Sequence, residues 1–65
     1  MTIRIVRSLM LHLVVAPEKE LRQRVPVFAG QKFVVVDHQE DDGFDWMRPE
    51  GGGLLPLPPD AWEVA

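Results

Sequence analysis

The sequence predicts an all-β domain, a small barrel of five short strands. Three observations carry that reading. Phe33–Val36 is a β-branched and aromatic run. It is followed by an acidic turn ending in Asp42-Gly43 and by the alternating segment Phe44-Asp45-Trp46-Met47-Arg48. Apolar run, Asp-Gly turn and alternating run together are the sequence form of a β-hairpin. Short apolar segments also recur between Gly- and Pro-rich turns along the rest of the chain, the spacing of a small barrel.

In strand geometry Phe33 and Val35 share one face, and Phe44 and Trp46 share one face of the partner strand. These four residues are the expected nucleus of the core. Thr2–Val15 is the most apolar stretch. Its odd positions are Ile3, Ile5, Arg7, Leu9, Leu11, Leu13 and Val15, apolar except at Arg7, which is strand period. Ile3, Val6, Met10 and Leu13 also follow helical spacing, but no good N-cap precedes them and Ile/Val density is high. The stretch is long for one strand, so a break or bulge near Arg7-Ser8 is expected, turning Arg7 outward. With Arg4 and Arg7 ahead of Leu9–Val15 it also imitates a signal peptide. His12 within the apolar run, Pro17 behind it and the loss of core on cleavage argue for a core strand instead. The run is too short and too polar to span a membrane.

Residues 17–24 are expected to form a polar loop or one helical turn. Pro17 would open it, with Glu18 and Glu20 at its start and Arg22 and Arg24 at its end. Val25-Pro26-Val27-Phe28 returns to extended backbone, since Pro biases its predecessor that way. Ala29-Gly30 is a turn. His38–Gly43 is an acidic hairpin tip with His38 exposed. Pro49–Gly53 is the next turn, where Gly51-Gly52-Gly53 permits any backbone angle. Leu54-Leu55-Pro56-Leu57 is a short edge strand. Pro58-Pro59-Asp60-Ala61 is expected as a plain turn or one turn of 3₁₀ helix, and Trp62-Glu63-Val64 is the closing strand, with Trp62 or Val64 facing the core.

Sixty-five residues make one domain, residues 1–65. A chain of this size buries only about 60% of its unfolded surface, so its stability margin is thin. With no Cys, disulfides and thiolate metal sites are excluded, and two His do not suggest a closed zinc site. Absence of Cys fits a cytoplasmic protein. The net charge of −3 divides unevenly. Residues 1–32 hold six basic groups against Glu18 and Glu20, whereas residues 33–65 hold Arg48 against eight acidic groups. Either the folded chain has one basic and one acidic surface, or its strands interleave and the charges mix.

From Phe28 onward the order of elements resembles an SH3-like barrel. The resemblance rests on Gly30, Phe33–Val36, Asp41-Asp42-Gly43, Phe44 and Trp46, Gly51–Gly53, Leu54-Leu55-Pro56, and Pro59 to Val64. It implies the barrel fold, and it carries Pro56 over as a groove residue. Peptide-binding members present a ladder of Tyr and Trp to a polyproline helix. Here there is no Tyr, the Ala-Leu-Tyr-Asp-Tyr box is absent where Leu13-Val14-Val15-Ala16-Pro17 stands, and the tandem Trp pair appears as Phe44-Asp45-Trp46.

Catalytic material is sparse. Ser8 and Thr2 are the only side-chain hydroxyls, and a triad would need Ser8, His12 and a carboxylate to converge. Not an enzyme, without cofactor, is the expectation. Asp37, His38, Glu40, Asp41, Asp42 and Asp45 could ligate a metal, but their spacing does not match a calcium loop, and a solvated acidic turn is the plainer reading. Pro56-Leu57-Pro58-Pro59 matches P-x-x-P but reads as structural punctuation.

The expected function is a stand-alone, non-catalytic protein-interaction module with a protein partner. Its binding surface would be Asp41, Asp42, Asp45, Trp46 and Pro56. A small accessory protein of a phage or mobile element fits the size and the lack of chemistry, and beginning at Met1 the chain is read as complete. The alternative is nucleic-acid binding through Arg4, Arg7, Arg22 and Arg24. An unpaired edge on the N-terminal strand would add to a second copy and make a homo-oligomer.

Overall fold

The computed structural model describes residues 1–16 and 21–65. The helical turn expected to open at Pro17 with Glu18 and Glu20 therefore lies outside the described residues. The fold is all-β. The strands are β1 (Thr2–Ile5), β2 (Leu9–Ala16), β3 (Leu21–Val27), β4 (Lys32–Asp41), β5 (Phe44–Pro49), β6 (Leu55–Leu57) and β7 (Trp62–Val64), with a 3₁₀ turn at Pro59–Ala61. In place of five strands there are seven. Five form an antiparallel sheet in the order β6-β5-β4-β1-β7, and β2 and β3 form a second sheet of two.

The long N-terminal stretch is broken where expected. β1 ends at Ile5, β2 starts at Leu9, and Arg7 between them is exposed. Arg7 reaches Asp60 of the 3₁₀ turn with two hydrogen bonds, of 3.2 and 2.9 Å. Two expectations for this part of the chain need correcting. Residues 21–24 are strand, not loop or helical turn. They pair antiparallel with β2, with Val14 opposite Arg22 and His12 opposite Arg24. A short polar segment has little intrinsic helix stability, and the neighbouring strand offers it a full ladder of partners. Pro26 is tolerated because β3 is an edge. Second, β1 alone of the N-terminal stretch offers no free edge to a second copy, since it lies between β4 and β7 and pairs with both. β2 pairs with β3 on one side and meets Leu54 through a single bridge at Val14 on the other.

The core is Ile3, Ile5, Leu11, Val27, Val35, Met47, Leu55 and Leu57, with Leu9, Phe33 and Trp62 packed against it. Val35 and Phe33 thus belong to it as expected. Phe44 and Trp46 do not. Phe44 is 42% exposed, Trp46 is half-buried, and the inward residues of β5 are Asp45 and Met47. The reason lies in β6. Asp45 stands opposite Leu57, Trp46 opposite Pro56 and Met47 opposite Leu55. Residues directly opposite one another share a face. Turning Trp46 inward would also turn Pro56 inward and expel two leucines, each contributing about 1.5–3 kcal/mol when buried. Leu-Pro-Leu therefore chooses the face of β5.

The hairpin of β4 and β5 closes more tightly than a six-residue acidic tip. Pairing continues to Asp41 opposite Phe44, and only Asp42-Gly43 turns the chain. Both have positive φ, 56° and 80°, as a type I′ turn demands. Nothing stands within 4 Å of a Cβ placed on Gly43, so Gly43→Ala meets only backbone strain. Its expected cost is about 1–2 kcal/mol by urea denaturation, with the native spectrum retained. A cost near zero would show that the turn relaxes to another type.

Further down β4 the register slips by one residue: Val35 faces Pro49, but Asp37 faces Arg48. This β-bulge resets the alternation. Before it Phe33 and Val35 point inward; after it His38 does. His38 is consequently half-buried, not exposed.

Candidate functional site: an apolar groove between two charged banks

β2 places Leu9 and Leu11 toward the core and leaves Met10 and His12 on its other face, where both are exposed. Val14 and Leu54 exchange backbone hydrogen bonds of 3.1 and 2.9 Å. This isolated bridge pins the β2–β3 hairpin beside β5 and β6. Between them lies a groove of about 430 Å³. Met10, His12, Val14 and Arg22 line it from the hairpin, and Phe44, Trp46, Pro56 and Pro58 line it from the other side. Met10 is 49% exposed. Trp46 lies directly across from Pro56, and its indole N–H donates to the Asp41 carbonyl at 3.3 Å. One end of the ring is thereby held, and the indole takes its place in the groove wall.

A second cleft, lined by Glu40, Asp41, Asp42, Gly43, Phe44, Asp45 and Pro59, opens beside the hairpin tip. Phe44 lines both clefts.

Of the five residues expected to form a binding surface, Trp46 and Pro56 are in the apolar groove, and Asp41 and Asp42 are exposed at its acidic neighbour. Asp45 must be removed from that surface. It is 5% exposed, and both carboxylate oxygens are taken. Oδ1 is 2.9 Å from His38 Nε2, and Oδ2 accepts the Trp62 indole N–H at 2.8 Å. The rings of His38 and Trp62 meet edge to face, 5.4 Å apart. Burial pushes the Asp45 carboxyl up, but the bonds from His38 and Trp62 outweigh it and hold the group below the usual carboxylate range.

Three of the six residues considered as metal ligands do converge. Donor atoms of His38, Glu40 and Asp45 lie within 4.8 Å of one another. His38 and Asp45 already satisfy each other there, so the trio reads first as a core hydrogen-bond network with an exposed Glu40 beside it.

The four arginines of the nucleic-acid reading are divided between the two sheets and the β1–β2 turn. Arg4 pairs with Glu63 at 2.9 Å, and Arg7 pairs with Asp60. Arg22 and Arg24 sit two residues apart on β3, exposed, on the face shared with Met10 and His12. Ser8 Oγ accepts the Ala29 N–H at 2.9 Å, and among the described residues no hydrogen bond links it to His12. Among the described residues no helix is long and apolar enough to cross a membrane.

Sequence reasoning missed Met10, Phe44, Pro58 and Arg22 as neighbours of Trp46 and Pro56. The signal for Met10 was available: it sits among even-numbered positions of a strand whose odd positions are apolar. Phe44 was hidden because an aromatic residue beside an apolar hairpin is ordinarily core.

No protein-family model matches this chain, and no curated protein and no solved structure matches it.

Proposed function

We propose that this domain is a non-catalytic protein-interaction module of SH3-like arrangement whose groove takes an extended, apolar segment of a partner protein. The observation that carries the reading is the placement of Trp46 directly across from Pro56 in the wall of an open groove, with exposed Met10 and Phe44 beside them. Large apolar side chains left at the surface around a concavity are typical of binding sites. A flat indole beside a proline ring suits a preformed extended ligand, which loses little conformational entropy on docking. The order of strands, the short terminal β7 and the 3₁₀ turn before it support the SH3-like arrangement. The nucleic-acid reading is weaker, because two of its four arginines are already paired with carboxylates.

The test is fluorescence anisotropy with labelled Pro- and Leu-rich peptides, using wild type, Trp46→Ala and Met10→Ala. Each variant is first checked for folding by circular dichroism. Trp46→Ala is expected to weaken binding by about tenfold or more, as loss of a central aromatic does. Met10→Ala is expected to cost less. Failure of every peptide to bind, or equal binding by wild type and Trp46→Ala, removes the groove as the site. Binding of an oligonucleotide that falls steeply with salt would favour the arginine reading instead.

A further inference from the structure

We propose that the segment this groove accepts is dipolar: apolar in the middle, cationic at the end lying against Glu40, Asp41 and Asp42, and anionic at the end lying against Arg22 and Arg24. The inference rests on the groove reading above and adds the chemistry and direction of the ligand. Three observations lead to it.

The two clefts are one surface. Phe44 is in the wall of both, so a chain leaving the apolar groove past Phe44 enters the acidic cleft. At the groove's hairpin wall stands Arg22, with Arg24 two residues along the same face of β3 and His12 opposite Arg24. Arg22 stands opposite Val14, which bridges to Leu54 at the end of the groove away from Phe44, so an extended ligand spanning the groove meets charges of opposite sign at its two ends.

Neither bank is paired off by a described neighbour. Arg4 and Arg7 are paired with Glu63 and Asp60. Among the described residues, Arg22, Arg24, Glu40, Asp41 and Asp42 form no ion pair within 4 Å. Charges well inside a Debye length of a bound peptide, about 8 Å at physiological salt, are only partly screened and act on it most strongly at low salt.

The acidic bank is also exposed. Glu40, Asp41 and Asp42 follow one another at the hairpin tip, and a cation arriving from a partner meets three solvent-facing carboxylates there. Opposite banks also set orientation: reversing the peptide would bring like charges together at both ends.

The experiment uses the full chain and five labelled peptides with one shared Pro/Leu centre. They carry Arg at the first end and Glu at the last, the reverse order, Glu at both ends, Arg at both ends, or neutral ends. One of the two mixed peptides is expected to bind about fivefold tighter than the neutral one at low salt, and the reversed peptide weaker than neutral. Arg22→Glu, at an exposed position, should abolish that preference for an anionic end. Asp41→Asn with Asp42→Asn should abolish the preference for a cationic end, and Asn tolerates the positive φ of residue 42. If all five peptides bind equally, or if a like-charged peptide binds tightest, the dipolar assignment is overturned and the groove reading stands. If none of the five binds, the groove reading itself falls.

Discussion

Met47→Ala is expected to unfold most of this protein at room temperature, whereas Phe44→Ala, on the opposite face of the same strand, is expected to leave it folded. Met47 is fully buried between β4 and β6, opposite His38 on one side and Leu55 on the other. Truncating a buried Met to Ala costs about 2–5 kcal/mol. A core of this size supplies only about 3–5 kcal/mol in total. Phe44 is already 42% exposed, and its removal should cost less than about 1 kcal/mol. Urea denaturation followed by circular dichroism measures both. Similar losses for the two variants would mean that the aromatic face of β5 is the buried one, and the groove would lose its wall.

The second large effect is expected at Asp45. Asp45→Ala leaves the His38 imidazole and the Trp62 indole N–H without their acceptor. Removing one partner from a buried, bonded pair costs about 3–5 kcal/mol. Asp45→Asn keeps one acceptor oxygen but sets an amide against a donor, and should cost about 1–3 kcal/mol. Combining Asp45→Ala with Trp62→Phe should be less than additive, because both changes remove the same 2.8 Å bond. Acid sensitivity follows from the same contacts. The Asp45 carboxyl lies below its ordinary value of 3.8 in the folded state. Its contribution is therefore complete above about pH 4 and is lost as pH falls through the folded value. Asp60, held down by the hydrogen bond from Arg7, has the same sign, but it is common to wild type and Asp45→Asn and cancels between them. The stability advantage of wild type over Asp45→Asn should then hold down to about pH 4 and shrink below it, as pH falls from the unfolded value toward the lower folded one. An advantage that stays constant below about pH 4 would show that the folded state does not hold the Asp45 carboxyl below its ordinary value.

These two residues also mark where sequence reading succeeds and where it stops. Asp42-Gly43, the Arg7-Ser8 break, the 3₁₀ turn at Pro59–Ala61 and the closing strand from Trp62 are legible along the chain. Asp42-Gly43 and the 3₁₀ turn are decided by backbone conformations that a few adjacent residues impose: two positive φ values, or a proline that sets its own φ. The Arg7-Ser8 break is decided by a charge interrupting an apolar face. The all-β character follows from β-branched runs divided by such turns. Trp46 and Pro56 were singled out along the chain, and the structure brings both into the wall of one groove.

Several other features depend on residues far apart in sequence. Phe44-Asp45-Trp46-Met47 can bury either alternate pair, and its own composition favours the aromatic one. Leu55 and Leu57 settle the matter from the next strand, since burying both requires Asp45 and Met47 to face inward. A buried Asp45 is then affordable only because the bulge in β4 turns His38 inward and β7 brings Trp62, so that two donors reach its two oxygens. The strand at 21–24 exists because β2 lies beside it, not because its residues prefer extended backbone. Local chemistry thus decides where this chain turns. Which side of each strand is buried, and hence which aromatics are free to line a groove, is a collective choice made by cross-strand neighbours, because a side chain's face in a sheet is set by register.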